Sequence, residues 1–328
     1  MTVAGSLYGL AYGDALGAPA EFKNMAEIAA MYGPGGPREL AEPVARVTDD
    51  TQMAIAFAEA LISAPSVTPA GLEPAIRAAY VAWWASEDNN RAPGMTCLTA
   101  CEALDAGLPW AEAAVAGSKG CGANMRATPA GLMPGLTAGQ RSGAAQLQAA
   151  MTHGHPTGLA ASELTAFAVR YLLDGVTPAA LPGALREHAE SQRRVYHGDW
   201  LGDLWQRPGS STPEDYIARG WDECLHALDV LDTALRYPDR DADPCLATGA
   251  GWIAEEALAT GLYCFLLYPD EPVAALSRAA ASSGDSDSIA CLAGAFAGAV
   301  HGMDGWPAHW REVIEYEPAL GRIAAAFA

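Results

Sequence analysis

The sequence predicts an all-α protein, and two observations lead to that prediction. Apolar residues recur at helical spacing through most of the 328 residues, whereas the alternating runs of Val, Ile and Thr that are typical of β-strands are not seen. Met53, Phe57 and Leu61 fall at i, i+4 and i+8, on one face of a helix. Ile289 and Phe296 belong to a second apolar face, on a helix much later in the chain. We therefore expect helices that pack on helices.

Further helices are expected between breaks formed by Pro and Gly. They fall at about residues 72–86, 97–106, 158–174, 215–236 and 251–266. On the late helix, Ala290, Gly294 and Gly298 repeat every fourth position, and residues this small let a second helix approach closely. We interpret residues 1–328 as a single domain, with a helical insertion around residues 187–244, a segment that is more charged and rich in Trp.

The charge balance narrows the classes of function. The chain has 19 Lys and Arg residues against 39 Asp and Glu residues, a net charge of −20, which argues against coating of nucleic acid. Its seven cysteines include no CxxC pair, which favours reduced thiols over a disulfide framework. Asp14 and Glu21 interrupt the first apolar stretch, and no membrane span or secretory signal is predicted. The expectation is a cytoplasmic, monomeric protein with no membrane partner.

Two short acidic clusters stand out from the Ala-rich background. TDDT occupies residues 48–51 and GDSDS occupies residues 284–288, and each comes directly before a predicted helix. Helix capping is one interpretation, because Asp, Ser and Thr are preferred there and carboxylates favour the positive helix end. However, each cluster supplies two carboxylates and a hydroxyl, more than one cap requires. Hard cations such as Mg²⁺ and Mn²⁺ take these oxygen ligands, so the alternative is a metal site.

With these clusters in their order, the chain resembles the ADP-ribosylglycohydrolase family, which includes the dinitrogenase reductase-activating glycohydrolases. Six blocks carry the resemblance. They are GLAYGDALG at residues 9–17 followed by Glu21, TDDT at 48–51, GCGANMR at 120–126, THGHP at 152–156, GWIAEEAL at 251–258 and GDSDSIA at 284–290. The resemblance implies a single orthogonal helical bundle with a central two-metal cleft.

The resemblance also implies the activity and the residues of the site. The family hydrolyses the bond between ADP-ribose and a modified acceptor at the anomeric carbon of the distal ribose. Two Mg²⁺ or Mn²⁺ ions would hold that ribose and a water, and Glu21 would serve as acid/base or as a gate. The implied metal ligands are Thr48, Asp49, Asp50, Asp285, Asp287 and Ser288. The implied substrate-binding residues are Gly94, Gly117, Ser118, Lys119, Gly120, Cys121, Gly122, Met125, His153 and Trp252.

Plain structural roles compete with several of these assignments. A Gly-rich loop is most often only a loop, although glycines also expose N–H groups to a diphosphate. Lys119 is expected to add a positive charge there. His153 is interpreted as a hydrogen-bonding partner of the substrate or of a ligand rather than as a metal ligand. Trp252 is either half-buried core or an aromatic wall for adenine.

The sequence departs from the family pattern at two places. Cys121 replaces the usual asparagine of the Gly-rich loop, and Ala92 and Met95 replace an acidic residue and an asparagine beside the acceptor. The guanidinium of an arginine acceptor normally pairs with a carboxylate. The residue that could supply this carboxylate here is Asp88, just upstream. The acceptor therefore stays open among arginine, serine, a nucleic-acid base and a free ADP-ribose derivative.

Two other classes of enzyme also use acidic motifs, and the sequence disfavours both. A terpene-synthase-like bundle requires an Asp where Met53 stands, and a DxD phosphatase requires an apolar strand before Asp285. A catalytically weak ADP-ribose-binding protein, or a crystallin-like structural protein of the same fold, is the alternative that remains.

Overall fold

The computed structural model describes residues 2–206 and 210–328, and within them the chain folds into helices with no β-strand. The α-helices are α1 (Thr2–Gly17), α2 (Met25–Tyr32), α3 (Asp49–Ser63), α4 (Pro69–Trp84), α5 (Met95–Asp105), α6 (Trp110–Ala113), α7 (Thr128–Leu132), α8 (Ala138–Ala150), α9 (Pro156–Leu173), α10 (Leu181–Gln192), α11 (Gly198–Leu201), α12 (Pro213–Arg236), α13 (Cys245–Thr248), α14 (Ala254–Leu267), α15 (Pro272–Ala280), α16 (Ser286–His301), α17 (Trp310–Val313) and α18 (Glu317–Ala326). Short 3-10 helices occupy Ala18–Ala20, Cys121–Ala123, Pro178–Ala180, Leu204–Gln206 and Gly302–Gly305. The all-α prediction is confirmed.

The seven predicted helices correspond to α3, α4, α5, α9, α12, α14 and α16. Helix α1 was not predicted, and the 3-10 helix that follows it continues through Ala20, directly before Glu21. Every residue of α1 from Gly5 to Gly17 is buried. A helix that is buried all round has no polar face, so its sequence lacks the periodic contrast that reveals an amphipathic helix.

The pair formed by α1 and α16 lies at the centre of the fold. A Cβ atom added to Gly13 would lie 2.0 Å from the carbonyl oxygen of Ala290, and one added to Gly294 would lie 1.9 Å from that of Gly9. Glycine is therefore required where the two backbones touch. The close approach predicted from Ala290, Gly294 and Gly298 is confirmed. At one end of the pair, the hydroxyl of Ser286 donates to the carbonyl of Gly17 at 3.0 Å, which fixes the start of α16 beside the end of α1.

The segment at residues 187–244 contributes to the same hydrophobic core as the central pair. Helix α12 packs against α9 and α14, and its buried Trp221 belongs to one core cluster with Leu7 and Phe296. Arg207-Pro208-Gly209, one of the Pro and Gly breaks expected between helices, lies outside the described residues. The single-domain organisation stays a prediction. Of the helices in the described chain, none combines the length and apolar character needed to cross a bilayer.

Candidate active site

The two acidic clusters meet at one cavity of about 270 Å³, here called the acidic cavity. Its lining includes the carboxylates of Glu21, Asp49, Asp50, Asp285 and Asp287. Carboxylate oxygens of Glu21, Asp285 and Asp287 all lie within 4.8 Å of one another. Acidic side chains therefore reach this single site from two helix starts that are far apart in the sequence and from the segment that follows α1.

The first cluster is organised by the start of α3. Thr48 is the N-cap residue, and its hydroxyl accepts a hydrogen bond from the amide of Asp50 at 3.4 Å. Asp49 uses one carboxylate oxygen to accept from the amide of Gly94 at 3.3 Å. The capping interpretation thus holds for Thr48, while the carboxylates of Asp49 and Asp50 remain directed into the acidic cavity.

Asp14 holds this cluster in place, a role that the sequence analysis did not assign. Its buried carboxylate accepts from the hydroxyl of Thr48 at 2.9 Å and from the hydroxyl of Thr51 at 2.6 Å. It also accepts from the amides of both threonines at 3.0 Å. These bonds tie the start of α3 to α1. The available signal was a charged residue in an otherwise apolar stretch.

The second cluster is not explained by capping. Asp285 is the N-cap residue of α16, yet its side chain makes no capping hydrogen bond. One of its carboxylate oxygens instead accepts from the thiol of Cys121 at 2.7 Å. The carboxylate of Asp287 accepts a hydrogen bond from the backbone amide of Ser288 at 3.0 Å, and both residues line the acidic cavity.

The electrostatics of the acidic cavity are unfavourable without a positive charge. Burial, followed by the charge of Asp287, raises the pKa of Asp49 to about 7 and that of Glu21 to about 9. The same causes raise the pKa values of Asp50 and Asp285 well above their usual range. No lysine or arginine is among the described residues that line the cavity. The group must therefore bind protons or cations.

The donor set fits divalent cations. The Oδ1 atom of Asp50 is buried and has no hydrogen-bond partner among the described residues, although a buried charged oxygen is costly to leave unpaired. Carboxylate and hydroxyl oxygens are the donors that Mg²⁺ and Mn²⁺ prefer.

The raised pKa values predict how the stability of the metal-free protein depends on pH. Between the ordinary carboxyl pKa of about 4 and the raised values, the folded state binds more protons than the unfolded state, so the free energy of unfolding falls as pH rises. In excess chelator, we expect the Tm to decrease from about pH 5 to about pH 8, and saturating Mg²⁺ to reduce this decrease. Scanning calorimetry at several pH values measures both effects. A metal-free Tm that is flat or that rises over this range would contradict the electrostatic account.

The Gly-rich loop forms a second wall of the acidic cavity. Gly120, Cys121 and Gly122 line it, and the amide of Cys121 donates to the carbonyl of Trp252 at 3.1 Å. Behind the loop, the buried guanidinium of Arg126 donates to the side chain of Gln148 at 2.8 Å and to Thr152 at 2.6 Å. Gln148 in turn donates to the carbonyl of Ala123 at 2.8 Å, so Arg126 supports the loop through Gln148, a role that was not predicted from the sequence.

His153 contributes a neutral imidazole to the same wall. The residue is buried, and its Nδ1 atom shares a hydrogen bond of 2.7 Å with the hydroxyl of Thr152. Burial, followed by the charge of Arg126, lowers its pKa well below the usual range. A Cβ atom at Gly120 would lie 3.3 Å from Nε2 of His153, so glycine leaves room for the imidazole behind the loop.

Aromatic side chains form the rim of the acidic cavity. Trp252 is 41% exposed and stacks on Phe22 with ring centroids 5.5 Å apart and an interplanar angle of 18°. Phe22 and Ala92, which both line the cavity, have left-handed backbones with φ of 62° and 51°. Such conformations are strained for residues other than glycine and cluster at functional sites.

Four of the residues proposed from the sequence do not line the acidic cavity, namely Thr48, Gly117, Ser118 and Lys119. The ammonium of Lys119 instead bonds to Glu223 at 2.7 Å and to Glu255, beside a separate cavity. Gly94, Met125 and Ser288 do line it. Asp88 lies outside the lining and accepts a hydrogen bond from the hydroxyl of Tyr316 at 2.8 Å.

The fold is thus an all-α bundle in which two acidic helix starts meet a Gly-rich loop at one cavity. The chain belongs to the ADP-ribosylglycohydrolase family, whose family model matches residues 2–328. The resemblance stated from the six blocks is thereby confirmed. A solved structure of an ADP-ribosylglycohydrolase-related protein complex has the same fold, with a TM-score of 0.66 and 23% identity over 99% of this chain and 96% of that chain.

Curated relatives span nearly the whole chain. The ADP-ribosyl-dinitrogen reductase glycohydrolase of Rhodospirillum rubrum is 26% identical over 320 residues, which cover 95% of this chain and 89% of that protein. The ADP-ribosylhydrolase ARH3 of Mus musculus is 27% identical over 342 aligned positions, which cover 95% of this chain and 86% of that protein. Family membership and these relatives support a glycohydrolase.

Proposed function

We propose that the protein is a divalent-metal-dependent hydrolase that releases ADP-ribose from a modified acceptor by cleaving the bond to the anomeric carbon of the distal ribose. The observation that carries the proposal is the convergence of five carboxylates from three segments on one cavity that holds no lysine or arginine among its described lining residues. The metal ligands proposed there are Asp49, Asp50, Asp285, Asp287 and Ser288, which line the cavity. Thr48, which does not line it, is the sixth proposed ligand.

Divalent cations in the acidic cavity would supply Lewis-acid polarisation of the ribose hydroxyls and of water. The chain's own residues position the rest of the substrate. Gly120 and Gly122 present backbone without side chains, which suits a diphosphate. Trp252 offers an aromatic surface at the rim for the adenosine end, and the buried imidazole of His153 is a neutral hydrogen-bonding group beside the loop.

Glu21 is proposed to move the proton. In hydrolysis, the bond from the anomeric carbon to the acceptor breaks, the oxygen of water bonds to that carbon, and one proton of water ends on the acceptor. Burial and the charge of Asp287 raise the pKa of Glu21 to about 9, so its carboxyl group retains a proton in the metal-free protein. The carboxyl group of Glu21 lies beside Asp285 and Asp287, where it is placed to pass a proton between water and the departing acceptor.

Replacement of Glu21 by Gln is expected to lower the rate of ADP-ribose release by about 10²- to 10⁴-fold, the range for loss of one general acid–base group. Affinity for ADP-ribose, measured by calorimetry, should change little because the amide keeps the shape of the carboxyl group. Exposed Glu190 on α10 provides the control, since Glu190→Gln should leave release unchanged. Equal rates for Glu21→Gln and the parent protein would remove Glu21 from the reaction.

The metal requirement has its own test. Release of ADP-ribose from ADP-ribosylated arginine and serine peptides should stop in excess chelator and return when Mg²⁺ or Mn²⁺ is added in excess. Release that persists in chelator would refute the metal-dependent mechanism. ADP-ribose binding without turnover of either peptide, or of an ADP-ribosylated base or free ADP-ribose derivative, would favour the binding or structural alternative.

A further inference from the structure

A second cavity, here called the arginine cavity, shares no lining residue with the acidic cavity. It has a volume of about 230 Å³ and lies between the segment after α2, the turn after α12 and helix α15. Three arginines line it, namely Arg38, Arg240 and Arg278. In a chain with a net charge of −20, three guanidinium groups around one small cavity are unexpected unless they bind something negative.

Arg278 is buried without a counter-ion. The residue is only 7% exposed, and its Nη atoms donate to the backbone carbonyls of Arg240 at 3.3 Å, of Asp241 at 3.5 Å and of Ala281. Within residues 2–206 and 210–328, no carboxylate forms a salt bridge with it. Buried charges in proteins are normally paired with an opposite charge, and a carbonyl supplies only a partial one. The surroundings of Arg278 therefore favour a bound anion.

Two polar atoms at the same place have no partner. Nε of Arg278 and the hydroxyl of Ser277 are buried and make no hydrogen bond to any described residue, although both residues line the arginine cavity. Ser277 is 3% exposed, so water does not readily satisfy it. Capping of α15, whose last turn contains Arg278, explains the bond to Ala281 but leaves both of these donors unused.

The other two arginines are exposed and keep donors free for a ligand. The guanidinium of Arg240 lies over the ring of Tyr268, 4.8 Å from its centroid, and donates to the carbonyl of Leu267 at 2.8 Å. This stacking orients the group and leaves its remaining N–H groups available. Arg38 has no hydrogen-bond or salt-bridge partner in the described part of the chain.

Acidic residues at the arginine cavity do not cancel its charge. Asp241 and Glu271 line it, but both are exposed, where water and salt screen a carboxylate. Neither forms a salt bridge with any of the three arginines among the described residues. Three guanidinium groups against two screened carboxylates leave a positive lining, the reverse of the acidic cavity.

We propose that the arginine cavity binds a phosphate group, either as inorganic phosphate or as the end of a small phosphate ester. Guanidinium groups pair with phosphate through parallel N–H···O bonds, and phosphate presents three strong acceptor oxygens where a carboxylate presents two. The cavity is smaller than the roughly 300–1,000 Å³ of sites for drug-sized ligands, which suits a single anionic group. This site is independent of the metal-dependent hydrolysis proposed above.

The test is calorimetric titration of the full-length protein with inorganic phosphate at constant ionic strength. The protein is first dialysed free of divalent metal and of chelator, because both would compete. We expect Arg38→Gln and Arg240→Gln each to weaken phosphate binding at least about tenfold, since each removes a charge-assisted hydrogen bond. Arg322→Gln is the matched control, because Arg322 is an exposed arginine on α18 that does not line the cavity, and its affinity should stay within about twofold of the parent value.

The variants at the two exposed arginines keep the test separate from folding, since Arg278 also supports the chain at Ala281. A parent protein that binds no phosphate, or equal affinities in the parent protein, Arg38→Gln and Arg240→Gln, would overturn the proposal. Acetate that binds as tightly as phosphate would also overturn it. Tighter binding of methyl phosphate than of inorganic phosphate would identify an ester as the ligand, and the reverse order would identify the free ion.

Release of ADP-ribose by Arg38→Gln should equal that of the parent protein, so the phosphate site and the hydrolase are tested separately. Circular dichroism confirms that each variant is folded.

Discussion

Replacement of Asp287 by Asn is expected to abolish ADP-ribose release and, at the same time, to raise the Tm of the metal-free protein. Asp287 is a source of repulsion for Glu21, Asp49, Asp50 and Asp285, raising the pKa of each of them. The side-chain amide of Asn removes that charge and keeps the oxygen that accepts a hydrogen bond from the backbone N–H of Ser288. Because 1 kcal/mol shifts the Tm of a domain of this order of size by about 2–4 °C, a rise of several degrees is expected.

The loss of activity should be large, because a carboxylate that holds a catalytic cation contributes several kcal/mol to stabilisation of the transition state. Each 1.36 kcal/mol of that stabilisation corresponds to a tenfold change in rate. We expect a decrease of about 10³-fold or more. Calorimetry in chelator and peptide turnover in Mg²⁺ measure the two effects. Exposed Asp105 at the end of α5 gives the control, since Asp105→Asn should change neither quantity. A variant with normal turnover, or with a lowered metal-free Tm, would contradict the proposed role.

Replacement of Gly13 by Ala is expected to destabilise the protein by about 3 kcal/mol or more, the upper end of overpacking in a core. The added methyl group would lie 2.0 Å from the carbonyl oxygen of Ala290, and backbone cannot yield as a flexible side chain does. Separating α1 from α16 would also move Asp14, which holds the start of α3 through Thr48 and Thr51, away from the start of α16. We therefore expect activity to be lost with stability, which denaturant unfolding and peptide turnover measure on the same sample.

Gly183 supplies the matched substitution, because it lies in α10 with no atom within 4 Å of an added Cβ atom. Gly183→Ala should be neutral or stabilising by up to about 1 kcal/mol, since alanine reduces the entropy of the unfolded chain. Similar free energies of unfolding for the two variants would show that the contact between α1 and α16 is not tightly packed.

How much could be predicted from the sequence depended on local contrast along the chain. Helices α3 and α16 were predicted because large apolar side chains recur at helical spacing among small ones, as Met53 and Phe57 do in α3 and Ile289 and Phe296 do in α16. Their acidic starts were recognised because each places two carboxylates and a hydroxyl directly before an apolar helix. The resemblance of six ordered blocks then related two distant clusters, which spacing alone did not. Helix α1 was missed because its large apolar residues, among them Leu7, Tyr8 and Leu10, are spread around the helix and mark no single face.

Side-chain partners were the part that the sequence did not reveal. Lys119 was expected beside a diphosphate, yet Glu223 and Glu255 bind its ammonium, and Glu223 comes from α12, which no local pattern relates to the loop. Asp14 was noticed only as an interruption of an apolar stretch, although it accepts the hydroxyls of Thr48 and Thr51. Such pairings arise from tertiary packing, so a single sequence carries no direct signal for them.

The pairing of α1 with α16 determines the order in which the molecule can be assembled. The hydroxyl of Ser6 donates to the carbonyl of Ala295, 289 positions along the chain. During synthesis α1 leaves the ribosome long before its partner exists, and it has no polar face with which to remain in water. Contacts between such distant residues slow folding and expose apolar surface meanwhile, so nascent chains that stop short of α16 should be substrates for chaperones and proteases.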